Sequence, residues 1–362
     1  MSLGFQAAGH EVVCAVDSDP KHAATYRANF PKTKVVCADI RELSGRCIKG
    51  SAGVAGEGVD VVFGGPPCQG FSLMGRRTTA DPRNGLLLEF ARLVLELRPR
   101  YFVLENVEGL MLGEMRTAAD SFVAACEAGG YRITKPVIAL NASDFGVPQH
   151  RRRVFILGYA AREYPPSYPV PDRTKGGTCD SQPTVWDAIR DLAALSHYRN
   201  LLTSDVYSGR RRRRNEYAAK LDRLLGRHRI GILRRVTGAP ALSGCGLSRH
   251  TETTMARFAS TSPGSYEPIS RFHRLCKNGL SNTIRAGTGS DMGSYTAPRP
   301  IHPVEPRCIT VREAARLQSF PDWFSFHRTK WHGFRQVGNA VPPLLARAVA
   351  ASIAAAARQG RT

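Results

Sequence analysis

Cys68 sits in VDVVFGGPPCQGFS (residues 59–72), behind an apolar run, two glycines and a rigid Pro-Pro step. A core cysteine would lie inside the apolar run, and a zinc ligand would have a second cysteine two to four residues away. Neither holds here, so the thiol is either an inert small hydrophobe or a nucleophile presented at the end of a strand. A second reactive type, Glu105, ends the apolar run YFVLE, where a carboxyl can act as an acid or base, cap a helix or form a salt bridge. Asp17 and Asp39 end EVVCAVD and KVVCAD in the same fashion. Acidic residues there suit the hydroxyls of a ribose, and they equally suit the N-caps of the helices that follow.

The elements that must position these groups alternate along the first half. FQAAGH ends a helix, EVVCAVD is a strand, KHAATYRANF a helix and KVVCADI a strand. VDVVF, the helical LLLEFARLVLEL and the strand YFVLEN follow. Within LLLEFARLVLEL, Glu89, Arg92 and Glu96 form one polar stripe on an otherwise apolar cylinder. Apolar strands separated by helices predict βαβ crossovers and a parallel sheet covered on both faces, an α/β, Rossmann-like arrangement. Right-handed crossovers place Cys68 and Glu105 on one sheet edge, with Asp17 and Asp39 on the same edge. RVFILGY is a further strand. From about residue 161 the pattern gives way to Pro, Gly and Ser (REYPPSYPVPDRTKGGT) and an unbroken run from Arg210 to Arg214. Order returns at TVREAARLQSFPDWF, where Thr310 and Glu313 have capping-box spacing and Pro321 ends the helix. The expected domains are 1–164, a smaller irregular one at 165–300, and a segment 301–362 that returns to the first.

Charge divides the chain in the same way. Residues 1–150 hold 16 Lys/Arg and 16 Asp/Glu, whereas residues 151–362 hold 35 and 14, so the whole net charge of +21 lies in the second part. Residues 151–302 alone contribute +15. A neutral half joined to a strongly basic one suggests a small-molecule site and a polyanion site. Nine scattered cysteines without a CxxC pair argue against zinc and against a disulfide framework. No stretch is expected to span a membrane, the alanine-rich run near the C-terminus being broken by Arg347 and Arg358. A reduced, cytoplasmic setting is expected.

GPPCQGFS, ENVEGL, PQHRRRVFILG, REAARLQSFPDWF and RQVGNAVPP, in this order, resemble the signature blocks of the DNA (cytosine-5) methyltransferases. The similarity covers nearly the whole chain except about 165–300, where that family carries its target-recognition domain. It implies a Rossmann-like S-adenosylmethionine-dependent methyltransferase sheet. It makes Cys68 the nucleophile that adds to C6 of a cytosine flipped out of double-stranded DNA, so that C5 can take a methyl group. Glu105 becomes the protonated partner of N3 and the exocyclic amine, its pKa raised by burial under the base. Arg153 is implied at the cytosine O2, and Arg151 at the phosphate or the catalytic loop, which corresponds to GRRTTADPRNG (75–85). Arg152 reads as part of a solvated basic face.

For the cofactor, S-adenosyl-L-methionine, the resemblance implies Asp17 on the ribose, Ser18 and Ile40 beside the adenine, and Asp39 on its amino group. Pro67, Leu86 and Asn339 line the methionine end, although Asn339 could equally cap a helix. The family also carries a first strand and a Phe-x-Gly-x-Gly loop ahead of the stretch that opens this sequence, MSLGFQAAGHEVVCAVD, and a start further upstream is expected. Without them the sheet should lack its central strand and leave two strand edges unpaired. A monomeric modification enzyme, alone or beside a cognate restriction endonuclease, is the leading expectation. The alternatives are a catalytically silent DNA-binding relative and a transfer-RNA cytosine-5 methyltransferase.

Overall fold

The computed structural model describes residues 1–56, 58–67, 85–171, 182–208, 215–226, 241–287 and 299–360, apart from the side chain of Glu114. Cys68, residues 75–84 of the expected loop and the Arg210 to Arg214 run lie outside the described residues. The chain forms two compact units. The first comprises Met1–Asn141, Arg152–Val170 and Arg347–Thr362, and the second comprises Ala142–Arg151 and Pro171–Ala346.

The first unit opens with α1 (Ser2–Ala7), β1 (Cys14–Val16), α2 (Pro20–Asn29), β2 (Lys34–Val36), α3 (Gly45–Ala52) and β3 (Val61–Gly64). It continues with α4 (Leu86–Leu97), β4 (Tyr101–Val107), α5 (Gly113–Ala128), β5 (Tyr131–Ile133), β6 (Ile138–Asn141) and β7 (Arg152–Ala160). β1 and β2 form a parallel pair, while a separate sheet has the order β3-β4-β7-β5, with β6 also on β7. Among the described residues β1 has only β2 as a ladder partner and β3 only β4, so the sheet is interrupted where two unpaired edges were expected. The second sheet is mixed rather than parallel. β3 and β4 run parallel, but β7 runs antiparallel to β4, β5 and β6, because the ten residues between β6 and β7 carry no crossover helix.

β4 carries the structure. Its residues Tyr101 to Asn106 are all buried, as befits a strand paired on both edges and covered on both faces. Against it α4 buries Leu87, Phe90, Ala91, Val94 and Leu97, one helical stripe, and α5 adds Phe122 in edge contact with Phe102 at 5.7 Å between centroids. On β3, Phe63 stacks with Phe5 of α1 at 4.0 Å.

The second unit contains α6 (Val185–Ile189), α7 (Glu216–Leu225), α8 (Glu252–Ser260), α9 (Val311–Leu317) and α10 (Lys330–Asn339). The capping box of Thr310 and Glu313 forms at the start of α9 as its spacing predicts. Residues 301–346 group with this unit, whereas the sequence places the whole of 301–362 with the first. Buried charge is the physical reason: Arg316 of α9 binds both Asp191 and Asp322, and Arg312 donates to the Ser243 carbonyl oxygen at 2.8 Å. Only the chain from Arg347 onward, most of α11 (Pro343–Gln359), belongs to the first unit.

The stretch Lys330–Gln359 is long and apolar enough to cross a membrane by length and composition alone, which does not overturn the expectation that no stretch spans one. It is interrupted between α10 and α11, and Leu345, Ala346, Val349, Ala350 and Ile353 are fully buried in the protein, which is how a core helix acquires such a composition.

Candidate active site

β4 and β7 build the centre of the site. In their antiparallel register Val107 faces Arg153 and Glu105 faces Phe155, so Glu105 and Arg153 stand diagonally on one face of the sheet. Their long side chains meet, with Arg153 Nε 3.1 Å from Glu105 Oε1. Both are largely buried, at 14% and 11% side-chain exposure, so solvent screens the contact little. Burial pushes the Arg153 guanidinium below its ordinary value, and the Glu105 carboxylate opposes that shift. Arg153 also donates through Nη1 to the carbonyl oxygen of Arg152 at 2.7 Å.

The next residue along β4 positions the Pro-Pro step. Asn106 is buried, and its Nδ2 donates to the Pro66 carbonyl oxygen at 2.9 Å. Pro67, exposed, is the last described residue before Cys68. Gly65 lies against the acid: a Cβ there would stand 2.9 Å from Glu105 Oε2, so glycine leaves the room that the carboxyl occupies. Asn106, which the sequence reading passes over, fastens the Pro-Pro step to β4. It belongs to ENVEGL, but nothing in that block says which carbonyl its amide takes.

A second group of residues lies at the ends of β1 and β2. Those strands are parallel neighbours, and the ladder continues with Asp17 N donating to the Val36 carbonyl oxygen at 3.2 Å. The cap of α2 is Asp19, which accepts from Lys21 N and His22 N, so Asp17 is not held by that duty. Asp17 Oδ1 accepts from Asp19 N at 2.9 Å, Oδ2 stands 3.6 Å from His22 Nδ1, and the side chain is 42% exposed. Such a carboxylate fits a ribose diol, because it keeps lone pairs facing solvent. Ser18 is exposed beside it.

Asp39, by contrast, does cap the short 3-10 turn Ile40–Glu42 and accepts from Arg41 N, Nε and Nη2 at 2.9, 3.0 and 2.6 Å. Those hydrogen bonds from Arg41, opposed by slight burial, hold its carboxyl at about 2. The turn is fastened to α4 by the polar stripe. Arg92 Nη2 donates to the carbonyl oxygens of Ile40 and Leu43 at 2.9 and 3.0 Å, while Glu89 and Glu96 brace the guanidinium at 2.8 and 2.7 Å. Glu96 Oε2 in turn accepts from Gly45 N at 2.6 Å. Leu86, half-buried, starts the same helix.

One expectation needs correction, one agrees with the structure and one alternative is ruled out. Arg151 does not offer its guanidinium to a phosphate. It is 1% exposed in the second unit and donates to the carbonyl oxygens of Ile284 and Gly338 at 3.0 and 2.7 Å, tying two backbone segments together. Arg152 pairs on the surface with Glu108 at 2.8 Å, as a solvated basic face would. Asn339 is exposed at the last position of α10, four residues before α11 begins, and is not a helix N-cap.

A Rossmann-like sheet with an exposed carboxylate at one pair of strand ends and a buried acid at another is compatible with an S-adenosylmethionine-dependent methyltransferase. The family model of the C-5 cytosine-specific DNA methylases matches residues 1–355, and the chain belongs to that family. It is a DNA (cytosine-5) methyltransferase, with S-adenosylmethionine as methyl donor.

The chain is 46% identical over 360 residues to the type II methyltransferase M.XorII of Xanthomonas oryzae pv. oryzae, covering 99% of this chain and 83% of that protein. It is 32% identical to M.AgeI of Thalassovita gelatinovora, covering 97% and 95%. Among solved structures, a prophage-encoded E. coli chain, described as a candidate DNA modification methyltransferase, superposes with a TM-score of 0.79 at 33% identity, covering 98% of this chain and 95% of that one. Family membership favours DNA cytosine methylation over both the silent and the transfer-RNA alternatives.

Proposed function

We propose that methyl transfer proceeds through covalent attack of Cys68 on C6 of a cytosine flipped from double-stranded DNA, with Glu105 and Arg153 gripping the base. The buried Glu105–Arg153 contact, beside a Pro-Pro step held by Asn106, is the observation that carries this reading. C5 of cytosine is too weak a nucleophile unaided. Addition of the Cys68 thiolate to C6 turns the ring into an enamine, and electron density moves to C5. Glu105, protonated and released from Arg153, donates to N3 and accepts from the exocyclic amine, which draws density from C6 and favours the addition. Arg153, freed from the acid, donates to O2. When bound, S-adenosylmethionine supplies an electrophilic methyl group. Loss of the C5 proton, with its electron pair returning to the ring, then expels the thiolate and restores aromaticity.

The cofactor would be held by Asp17 and Ser18 at the ribose and by Asp39 and Ile40 at the adenine, with Pro67, Leu86 and Asn339 toward the methionine end. Asp39 can serve while bonded to Arg41, because a carboxylate accepts more than three donors. Residues 165–300 would form the target-recognition domain, placed on DNA by phosphate contacts and reading bases in the major groove. The enzyme would act as a monomer in the cytoplasm, beside a cognate restriction endonuclease or alone.

A duplex carrying 5-fluorocytosine tests the chemistry, because fluorine at C5 cannot leave as a proton and the adduct stays on the enzyme. A denaturation-stable complex is expected with S-adenosylmethionine present, and none with Cys68→Ala. Absence of the complex with an enzyme that methylates ordinary duplex would overturn the covalent route.

A further inference from the structure

Away from Glu105 and Arg153, the second unit gathers three cations that make no ion pair among the described residues. Arg249 lies exposed on the segment Leu247–His250, and two cations from elsewhere in the chain are tied to that segment. Lys330, the first residue of α10, donates from Nζ to the Leu247 carbonyl oxygen at 2.5 Å. Arg299 donates from Nη1 to Ser248 Oγ at 3.2 Å and lies over the Phe334 ring at 5.2 Å. His250 completes the group, its Nε2 accepting from Cys308 N at 3.3 Å. Among the described residues none of Arg249, Arg299 and Lys330 makes an ion pair, whereas Arg307 and Arg316 of this unit each have a carboxylate. Among those residues Arg299 Nε is buried and has no hydrogen-bond acceptor.

The carboxylate that acts on Lys330 is Asp205, and it already accepts from Gly244 N and Gly246 N at 2.9 and 3.4 Å. Burial depresses Lys330, His250 and Arg299, and the neighbouring cations depress the first two further. A half-buried guanidinium without a carboxylate is costly, and a bound anion would offset that cost.

We infer that Arg249, Arg299 and Lys330 form a seat for a backbone phosphate of duplex DNA. The chemistry is that of a guanidinium fork and an ammonium converging on one tetrahedral anion. The second unit carries 29 Lys/Arg against 14 Asp/Glu, a surplus suited to a polyanion rather than to a single small anion. The inference rests on the DNA reading of this unit.

The test is the salt dependence of binding to a mixed-sequence duplex by the full chain, for wild type, Arg249→Gln, Arg299→Met and the double variant, with Arg116→Gln of α5 as a charge-loss control. Each lost phosphate contact lowers the slope of log K against log salt by about 0.9. The double variant should lose that much and the control none. Arg299→Met should also melt no lower than wild type in the absence of DNA, because it removes an uncompensated charge while keeping the packing on Phe334. A purely structural arginine would show the reverse: a lower melting temperature and an unchanged slope.

An unchanged slope in Arg249→Gln, whose exposed side chain is safe to alter, together with one in Arg299→Met or misfolding of that variant, overturns the seat. So does inorganic phosphate that raises the melting temperature of wild type but not of the double variant while the DNA slopes stay equal, since the occupant would then be a free anion. If wild type itself shows no salt-dependent duplex binding, the DNA reading of the unit fails instead.

Discussion

Arg153 Nε lies 3.1 Å from Glu105 Oε1 at a position where neither side chain is well solvated, so each group compensates the other's charge. Stability and the proposed chemistry of the pair can be separated by mutation. Glu105→Gln keeps the shape and the hydrogen-bonding reach but cannot supply a proton. Turnover should fall by about 10²–10⁴-fold, with the dissociation constants for duplex and cofactor little changed by titration. Arg153→Ala removes the ion-pair partner of a largely buried carboxylate and should cost on the order of 3 kcal/mol in denaturant unfolding. The double variant Glu105→Gln/Arg153→Ala should recover part of that loss.

Arg92 holds the turn at which the cofactor's adenine is proposed to sit. Its hydrogen bonds to the Ile40 and Leu43 carbonyl oxygens fix the segment that follows Asp39. Arg92→Ala should raise KM for S-adenosylmethionine about tenfold, equivalent to ~1.4 kcal/mol, with kcat nearly unchanged at saturation. An equal fall in kcat would place Arg92 in the chemistry instead.

Two glycines of the signature blocks should fail differently. A Cβ at Gly65 meets the end of a side chain, Glu105 Oε2, at 2.9 Å, so Gly65→Ala should fold and lose turnover as the carboxyl is displaced. A Cβ at Gly338 meets backbone, the nitrogen of Ala286 at 2.4 Å, which cannot step aside. Gly338→Ala should therefore lower the unfolding free energy by about 1–3 kcal/mol, the cost of overpacking. Thermal melts beside initial rates would separate the two outcomes.

His302 gives the second unit a pH limit. It is fully buried, and its Nδ1 accepts from both Val304 N and Glu305 N, at 3.2 and 2.9 Å, which requires the neutral ring. Burial pushes its pKa down to about 4 from 6.5, although Glu313, 3.6 Å away, pulls the other way while Arg307, Arg274 and Lys277 reinforce the fall. The unfolded chain then binds the proton more readily between these values. Stability is present in full above about pH 6.5 and is lost as the pH falls toward 4, by on the order of 3 kcal/mol. Glu313 titrates lower: burial opposes its charge, yet Arg307 and its hydrogen bonds hold it at about 2. His302→Asn, which keeps an acceptor near the Nδ1 position, should flatten the melting temperature between pH 6.5 and 4.

Much of this was legible in residue order, because βαβ alternation and the strand-end positions of Asp17, Asp39 and Glu105 follow from local pattern. The antiparallel β7 was not, since RVFILGY is equally apolar in either direction. Arg151 and Arg153 look like alternate members of one strand, but β7 begins at Arg152, so the period-two rule does not reach Arg151 and its guanidinium enters a different unit. In α9 the letters Arg, Glu and Arg suggest a wet face. The structure buries Arg312, Glu313 and Arg316 completely, because Asp191, Arg307 and Asp322 arrive from distant or turned segments that no spacing rule connects. The setting of Cys68 marks the residue out but leaves it either an inert hydrophobe or a nucleophile, and its role comes from the resemblance of the signature blocks.

The most direct measurement is therefore transfer of labelled methyl from S-adenosylmethionine to mixed-sequence duplex DNA, with the product nucleosides separated and Cys68→Ser run in parallel. The expected result is label in 5-methylcytosine with the wild-type chain and none with the variant. Label that persists undiminished in Cys68→Ser, or that appears at the exocyclic amine instead of C5, would contradict the account.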